Sequence, residues 1–332
     1  MKAFTNLNPR NLEEAVDALR GARRAGKRAV VTGGGSDLLG LIKERLVAPD
    51  VVVDLKTVAG LDGITAGAAG LRIGGLATLN AIATHPAVLR DYPVLAQGAA
   101  SVGTPQIRNV GTIAGNVCQR PWCWYLRNGF PCYKNGGERC FARTGENQHH
   151  AIFGGGPSYI VHPSDTAPAL VALDATFRIV GPSGERTVAA RDFFVLPTAD
   201  PSRENVLRDD EVLAEVAVPP PAAGRRSLYR KLLDRESWTH ALASAAVVLD
   251  MDGTVCRRAR IVLGGVAPIP WDRDRAAALL AGLPMSAALA ARVADETVAD
   301  ARPLLKNRYK VPLTRGLVRR SLLQAAGLPE EA

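Results

Sequence analysis

The sequence predicts an α+β protein built as two units, and three observations predict it. Residues 12–55 alternate helix, strand, glycine turn, helix and strand; residues 70–218 break into short glycine-punctuated strands and helices; and a proline-rich stretch, PPPAAGRR (219–226), precedes a strand pair and a helical tail. At 332 residues the chain is long enough for two or three compact cores, and its 47% hydrophobic and 22% charged residues are those of an ordinary globular protein.

In the first unit Leu12, Ala15, Val16 and Leu19 recur at helical spacing behind Asn11, a residue suited to cap a helix start. RAVVTGGG (28–35) reads as a buried strand running into a glycine turn, SDLLGLIKERL (36–46) as a helix starting at Ser36 or Asp37, and VVVDL (51–55) as a second strand. This alternation implies a small parallel βαβ unit. GLRIGG (70–75) reads as a strand and TLNAIATHPAVLRDYPVLAQGAASVG (78–103) as mostly helix. GPSGERTVAARDFF (181–194) is hairpin-like, and EVLAEVAVPPP (211–221) reads as a strand closing the unit. Beyond the linker, Asp252-Gly253 joins two runs in ASAAVVLDMDGTVCRRARIVLGGV (243–266), a strong hairpin signal. DRAAALLAGL, SAALAARVADETV and LTRGLVRRSLLQAAG complete the tail as helices.

The formal net charge of +9 invites a nucleic-acid partner, but the basic residues are spread along the chain and often sit beside acids, as in DRDR (272–275). A basic surface that docks on acidic subunits, or attracts a phosphate-bearing cofactor, fits that distribution better. No apolar run reaches the length of a membrane span, so membrane insertion is not expected. The N-terminal stretch shows no signal-peptide pattern, which places the chain in the cytoplasm unless it is exported with a signal-bearing partner.

Two glycine-rich turns carry the first chemical signal. VVTGGGSDLL sets three glycines between an apolar strand and a helix start, where backbone N–H groups can approach an anion such as a diphosphate. RNVGTIAGN (108–116) is a second such turn. The first matches neither the dinucleotide nor the P-loop spacing and taken alone reads as a tight strand-to-helix turn; two turns converging on one anion would be more specific than either.

Taken in order, AVVTGGGSDLLGLIKER, TPQIRNVGTIAGN, VHPSDTAPALVAL, YRKLLDRESWTHALASAAV and IVLGGVAPIP resemble the FAD-binding medium subunits of the molybdenum hydroxylases, the family of xanthine dehydrogenase, carbon monoxide dehydrogenase and aldehyde oxidoreductase. The resemblance implies a two-lobed FAD-binding domain of the vanillyl-alcohol-oxidase (PCMH) type over residues 1–222 and a C-terminal α+β flavoprotein domain over 223–332. It implies that Gly33, Gly34, Gly35, Ser36, Asp37 and Leu38 wrap the FAD diphosphate. Gly111, Thr112, Gly115 and Asn116 would form the second flavin-facing turn, with Asp165, Leu213 and Lys231 as further FAD contacts. The family's usual G-G-N triplet is Ala114-Gly115-Asn116 here. Read without the resemblance, Asp165 is a helix-start cap and Lys231 a solvated strand residue.

Four of the five cysteines, Cys118, Cys123, Cys132 and Cys140, fall in the single stretch GNVCQRPWCWYLRNGFPCYKNGGERCFAR (115–143), spaced C-x4-C-x8-C-x7-C. The segment is similar to the insertion (117–150) that holds a [4Fe–4S] cluster in flavin subunits of the 4-hydroxybenzoyl-CoA reductase type, and four thiolates suit that core. Some relatives take one thiolate from just before the HPSD motif, where this chain has Ser158, which makes Cys118 the least secure ligand and His149 and His150 alternatives. Trp122, Trp124, Tyr125, Phe130, Tyr133 and Phe141 surround the cysteines as a water-excluding shell. A four-cysteine zinc site remains open despite the missing C-x2-4-C pairs, as do disulfides or unliganded thiols. Cys256 reads as inert. The family resemblance implies an electron-transfer subunit that works with a molybdopterin-binding large subunit, a [2Fe–2S] small subunit and an external electron acceptor, and needs no acid–base residue of its own. The competing reading is a stand-alone FAD oxidase.

Overall fold

The computed structural model describes residues 2–236 and 239–330; Ser237 and Trp238, from the stretch RKLLDRESW, lie outside the described residues. The chain opens with a three-stranded parallel sheet in the order β1 (Thr5–Leu7), β3 (Val51–Asp54), β2 (Ala29–Thr32). The helix Leu12–Arg24 crosses it, and buries Ala15, Val16, Leu19 and Ala22 on one stripe. Its start is a reciprocal capping arrangement: Glu14 N–H donates to the Asn11 side chain at 2.9 Å, and Arg10 N–H donates to the Glu14 carboxylate at 2.8 Å.

A second, antiparallel sheet runs β4 (Ile64–Gly67), β5 (Gly70–Gly74), β8 (Val212–Val218), β6 (Thr176–Gly181), β7 (Gly184–Ala189) in spatial order. The helical stretch and the cysteine segment are one long excursion between β5 and β6. The mostly helical stretch over 78–103 is three short helices, Leu79–Thr84, Pro86–Asp91 and Pro93–Ala100. Pro86 and Pro93 each open a helix, because proline fixes a helical φ but forces the residue before it out of the α region.

The C-terminal sheet runs β9 (Arg225–Leu232), β10 (Ala243–Asp252), β11 (Val255–Gly264), β12 (Trp271–Asp272), with β13 (Leu283–Pro284) also on β11. Its two faces belong to different cores. Ala246 and Val248 of β10 join Leu95, Leu170 and Phe177 of the first unit. Ala245, Val247 and Leu249 face the tail helices Ala287–Val298 and Lys310–Ala326, among Val293, Val318 and Leu322. A strand covered on both faces reads as a continuous apolar run, which is how ASAAVVL reads. One core therefore spans the linker, and the helices Pro93–Ala100 and Thr166–Ala172 pack directly on the C-terminal sheet.

Candidate functional site

The two glycine turns meet. A Cβ on Gly34 would lie 1.7 Å from the Val110 carbonyl oxygen, and one on Gly33 would lie 3.0 Å from Thr112 Oγ1. Only a residue without a side chain admits that backbone approach. Within the triplet the left-handed conformation belongs to Gly35, at φ 74°. Thr112 starts the helix Ile113–Cys118 by accepting from Gly115 N–H at 3.1 Å. Ala114 lies inside that helix, where alanine is the most favourable residue, so the altered triplet costs the turn nothing.

Asp37 lines this region, and its carboxylate accepts from Arg120 N–H at 3.0 Å and from the Arg127 guanidinium at 2.9 Å. Arg127 also covers the Trp122 ring, 4.1 Å from its centroid. The first glycine turn is thereby tied to the cysteine segment through two arginines that sequence reasoning had passed over; their position between cysteines was the available signal.

Asn116 is buried, and its Oδ1 accepts from Ser164 Oγ and Thr166 Oγ1, each at 2.6 Å. With that oxygen committed, Nδ2 is the group left for the cavity Asn116 lines. Asp165 occupies the start of the helix Thr166–Ala172 but makes no capping bond; Ser164 Oγ caps it, accepting from Ala167 N–H at 3.0 Å. The Asp165 carboxylate instead pairs with Lys231 Nζ at 2.6 Å and accepts from Tyr229 OH at 2.7 Å, across the boundary between the two units. Both charged side chains are more than nine-tenths buried, at 4% and 6% exposure. Neither the capping reading of Asp165 nor the solvated reading of Lys231 describes this pair. Burial pushes the Asp165 carboxyl up, and Lys231 and Tyr229 pull against it.

His162, the histidine of the HPSD stretch, is equally enclosed. Its Nδ1 faces Ser164 N–H at 3.4 Å and its Nε2 the Val117 carbonyl at 3.3 Å, the pattern of a neutral ring protonated on Nε2. Burial pushes it down to about 4 from the ordinary 6.5, against the opposing pull of Val117. The folded value lies below the unfolded one, so the stability this group contributes is fully present above pH 6.5 and lost as pH falls through about 4. Urea unfolding is expected to weaken across that window by up to roughly 3 kcal/mol from this residue. The His162→Gln variant should lose that part of the slope; an unchanged pH profile would refute the neutral buried ring.

Ser36, Asp37, Gly111 and Thr112 line one cavity of about 260 Å³, together with Gly115, Asn116, Asp165 and Lys231. Gly33, Gly34 and Gly35 are not among its lining residues, although Gly33 abuts Thr112, which is, and Leu38 begins the helix Leu38–Lys43. Leu213 is buried in β8, within the core of the first unit. A second cavity, of about 430 Å³, shares Trp122, Pro163, Asp165, Thr239 and His240 with the first and reaches Cys123 and His150.

The cysteine segment folds as short turns around an aromatic nucleus. Tyr125, Phe130 and Phe141 pack edge-on and stacked with centroids 5.0–6.1 Å apart. Trp122 and Trp124 do not complete a water-excluding shell: they are 42% and 54% exposed, at the cavity rim. Burial pushes the Cys123 thiol up to about 11, and the nearby Cys140 and Cys132 add to that. Cys140 Sγ accepts from Tyr159 N–H at 3.4 Å. Cys118 ends the helix Ile113–Cys118 and packs on the main core; desolvation alone pushes it up to about 12. Cys256 is wholly enclosed in the C-terminal core. Among the described residues, no three His, Cys, Asp or Glu side chains stand close enough to hold one metal ion.

Two converging glycine turns, a cavity between two units and a C-terminal sheet that closes it define a two-domain flavin-binding protein. The chain belongs to the FAD-binding medium-subunit family of the molybdenum hydroxylases: residues 2–221 match the FAD binding domain in molybdopterin dehydrogenase, and residues 228–325 match the CO dehydrogenase flavoprotein C-terminal domain. It is 36% identical to the aldehyde oxidoreductase FAD-binding subunit PaoB of Escherichia coli K12, over 98% of this chain and 99% of that one. It is 28% identical to the carbon monoxide dehydrogenase medium chain of Hydrogenophaga pseudoflava, over 95% and 94%. The structure of the carbon monoxide dehydrogenase from that organism lacking the Mo-pyranopterin moiety superposes with a TM-score of 0.76 at 27% identity, covering 98% of this chain and 97% of that one.

Proposed function

We propose that this chain carries FAD and a [4Fe–4S] cluster as the electron-transfer subunit of a molybdenum hydroxylase of aldehyde type. In this reading, a molybdopterin-binding large subunit performs the substrate chemistry. A [2Fe–2S] small subunit relays electrons to this chain, and an external acceptor collects them. The observation that carries the reading is the adjacency of the two cavities. Asp165 and His240 border both, and the larger one reaches Cys123 and His150, so the proposed flavin pocket would lie beside the cysteine segment. The 36% identity to an aldehyde oxidoreductase subunit favours the aldehyde class.

The residues fit FAD. Backbone N–H groups of the two apposed turns would hold the diphosphate, Asn116 Nδ2 would donate into the pocket, and Lys231 would bring positive charge to it, steadied by Asp165. Bound there, FAD supplies the redox chemistry, and the protein's task is to orient it and set its surroundings. For the cluster, Cys123, Cys132 and Cys140 are the neighbouring thiols. An iron–sulfur cube is several ångströms across and spaces its thiolates further apart than a single ion does, so ligands need not converge on one point. Cys118 packs on the main core.

The test is purification of the chain alone, anaerobically. It should carry non-covalent FAD and about four irons with matching acid-labile sulfide, and oxidise no aldehyde. Adding the molybdopterin and [2Fe–2S] partners should restore aldehyde-dependent flavin reduction. Turnover by the isolated chain would favour the stand-alone oxidase, and stoichiometric zinc without sulfide would replace the cluster by a zinc site.

A further inference from the structure

We propose that Trp122 is the aromatic wall of the flavin pocket, the residue against which the ring system of bound FAD packs, and that Arg127 is the positioning residue that holds it there. The inference rests on the FAD part of the reading above and not on the cluster. Among the described residues lining the smaller cavity, Trp122 is the one tryptophan, tyrosine or phenylalanine. Gly111, Thr112 and Lys231 bring that cavity groups suited to an anion, and the indole brings the flat apolar surface that a fused ring system needs. Trp122 is 42% exposed, although Arg127 and His240 both pack on it. A large aromatic left that open at the rim of two adjoining cavities has surface that a bound ring would cover.

The clasp on this ring runs back to the first glycine turn. The Arg127 guanidinium lies 4.1 Å from the Trp122 ring centroid, and its side chain is only 7% exposed. Its donors are committed: Nη2 to the Asp37 carboxylate at 2.9 Å and the Arg120 carbonyl at 3.3 Å, Nη1 to Glu44 at 3.1 Å, and Nε to the Pro121 carbonyl at 3.1 Å. One cation therefore ties together the indole, the residue just before it and the carboxylate that follows Ser36 of the turn. A guanidinium can do this because its donors form a rigid fork and its plane stacks on an aromatic face; a lysine ammonium offers neither. From the C-terminal domain, the His240 ring stands 5.3 Å from the Trp122 ring, tilted by 33°. A wall fixed from both domains keeps its orientation before the ligand arrives. Trp124, two residues on, lines the larger cavity but not the smaller, which makes it the matched control.

The experiment uses the full chain loaded with FAD and freed of unbound flavin, and reads the emission of the bound flavin beside the FAD dissociation constant. An indole in contact with an excited flavin quenches it by giving it one electron and taking the same electron back, so nothing is consumed. Phenylalanine has a flat ring but is too hard to oxidise to do this. In Trp122→Leu, bound-flavin emission should rise several times over, and the dissociation constant should rise about tenfold. Trp122→Phe should show the same rise in emission while keeping most of the affinity, a split that a merely structural role would not produce. Trp124→Leu should match wild type in both. Arg127→Lys should fall between wild type and Trp122→Leu in emission, because the indole is no longer held; wild-type emission there overturns the role given to the arginine. Emission unchanged in both Trp122 variants, or raised as much by Trp124→Leu, overturns the inference and leaves FAD binding standing. A wild-type chain that takes up no FAD overturns the FAD reading itself, and the inference with it.

Discussion

Gly34→Val is expected to cost the chain its FAD, with flavin per chain falling at least about tenfold, equivalent to 1.4 kcal/mol or more of binding free energy. A Cβ at this position would sit 1.7 Å from the Val110 carbonyl oxygen and 2.5 Å from its carbon. The obstacle is backbone, so no rotamer change relieves it, and the two turns must separate to admit the side chain. In the proposed site, separation would move the N–H groups of both turns away from the diphosphate. The cause is close approach: it is Gly35, at φ 74°, that needs glycine for its backbone conformation. Gly21→Ala is the control, since a Cβ there meets nothing within 4 Å and the residue lies inside the helix Leu12–Arg24. That variant should keep its flavin and gain roughly 0.5–1 kcal/mol of stability. The ratio of flavin to protein absorbance in the soluble fraction reads both; full FAD retention in Gly34→Val would remove this turn from the site.

What the sequence made legible was local or motif-borne. The capped helix at Asn11, the parallel unit, the Asp252-Gly253 hairpin and both glycine turns follow from periodicity and turn chemistry, and the structure contains each. The meeting of those turns was not legible, because Gly34 and Val110 are brought together by the fold. The same is true of Asp165 and Lys231, whose local contexts point to a cap and a solvated strand position and whose burial comes from packing one domain on the other. Within the mostly helical stretch over 78–103, Pro86 and Pro93 mark where it divides into separate helices. Spacing among cysteines says nothing about direction. Cys118, at the end of a helix, turns to the core, whereas His150, outside the cysteine spacing, turns to a sulfur.

Removing the ammonium from the buried pair is the second large effect. Lys231→Met should destabilise the chain by about 3–5 kcal/mol, because the Asp165 carboxylate is left enclosed without its cation. Both side chains are under a tenth exposed, so solvent screens little of this. The sign of its pH dependence distinguishes it from the histidine effect. Burial already pushes the Asp165 carboxyl up, and without Lys231 that push is less opposed. A group whose folded pKa is raised contributes stability at low pH and loses it as pH rises, so the variant's deficit should shrink in acid and grow toward neutrality. In Asp165→Asn/Lys231→Met the stranded charge is gone, and most of the lost stability should return, as it does when both members of a buried pair are replaced together. Flavin affinity should not return with it, since the pocket between the domains still lacks its lysine. Urea midpoints at several pH values, read beside FAD content, separate the two roles. A double variant that regains FAD along with stability would show that Lys231 serves only to neutralise Asp165; a single variant as stable as wild type would mean the pair is not buried as described.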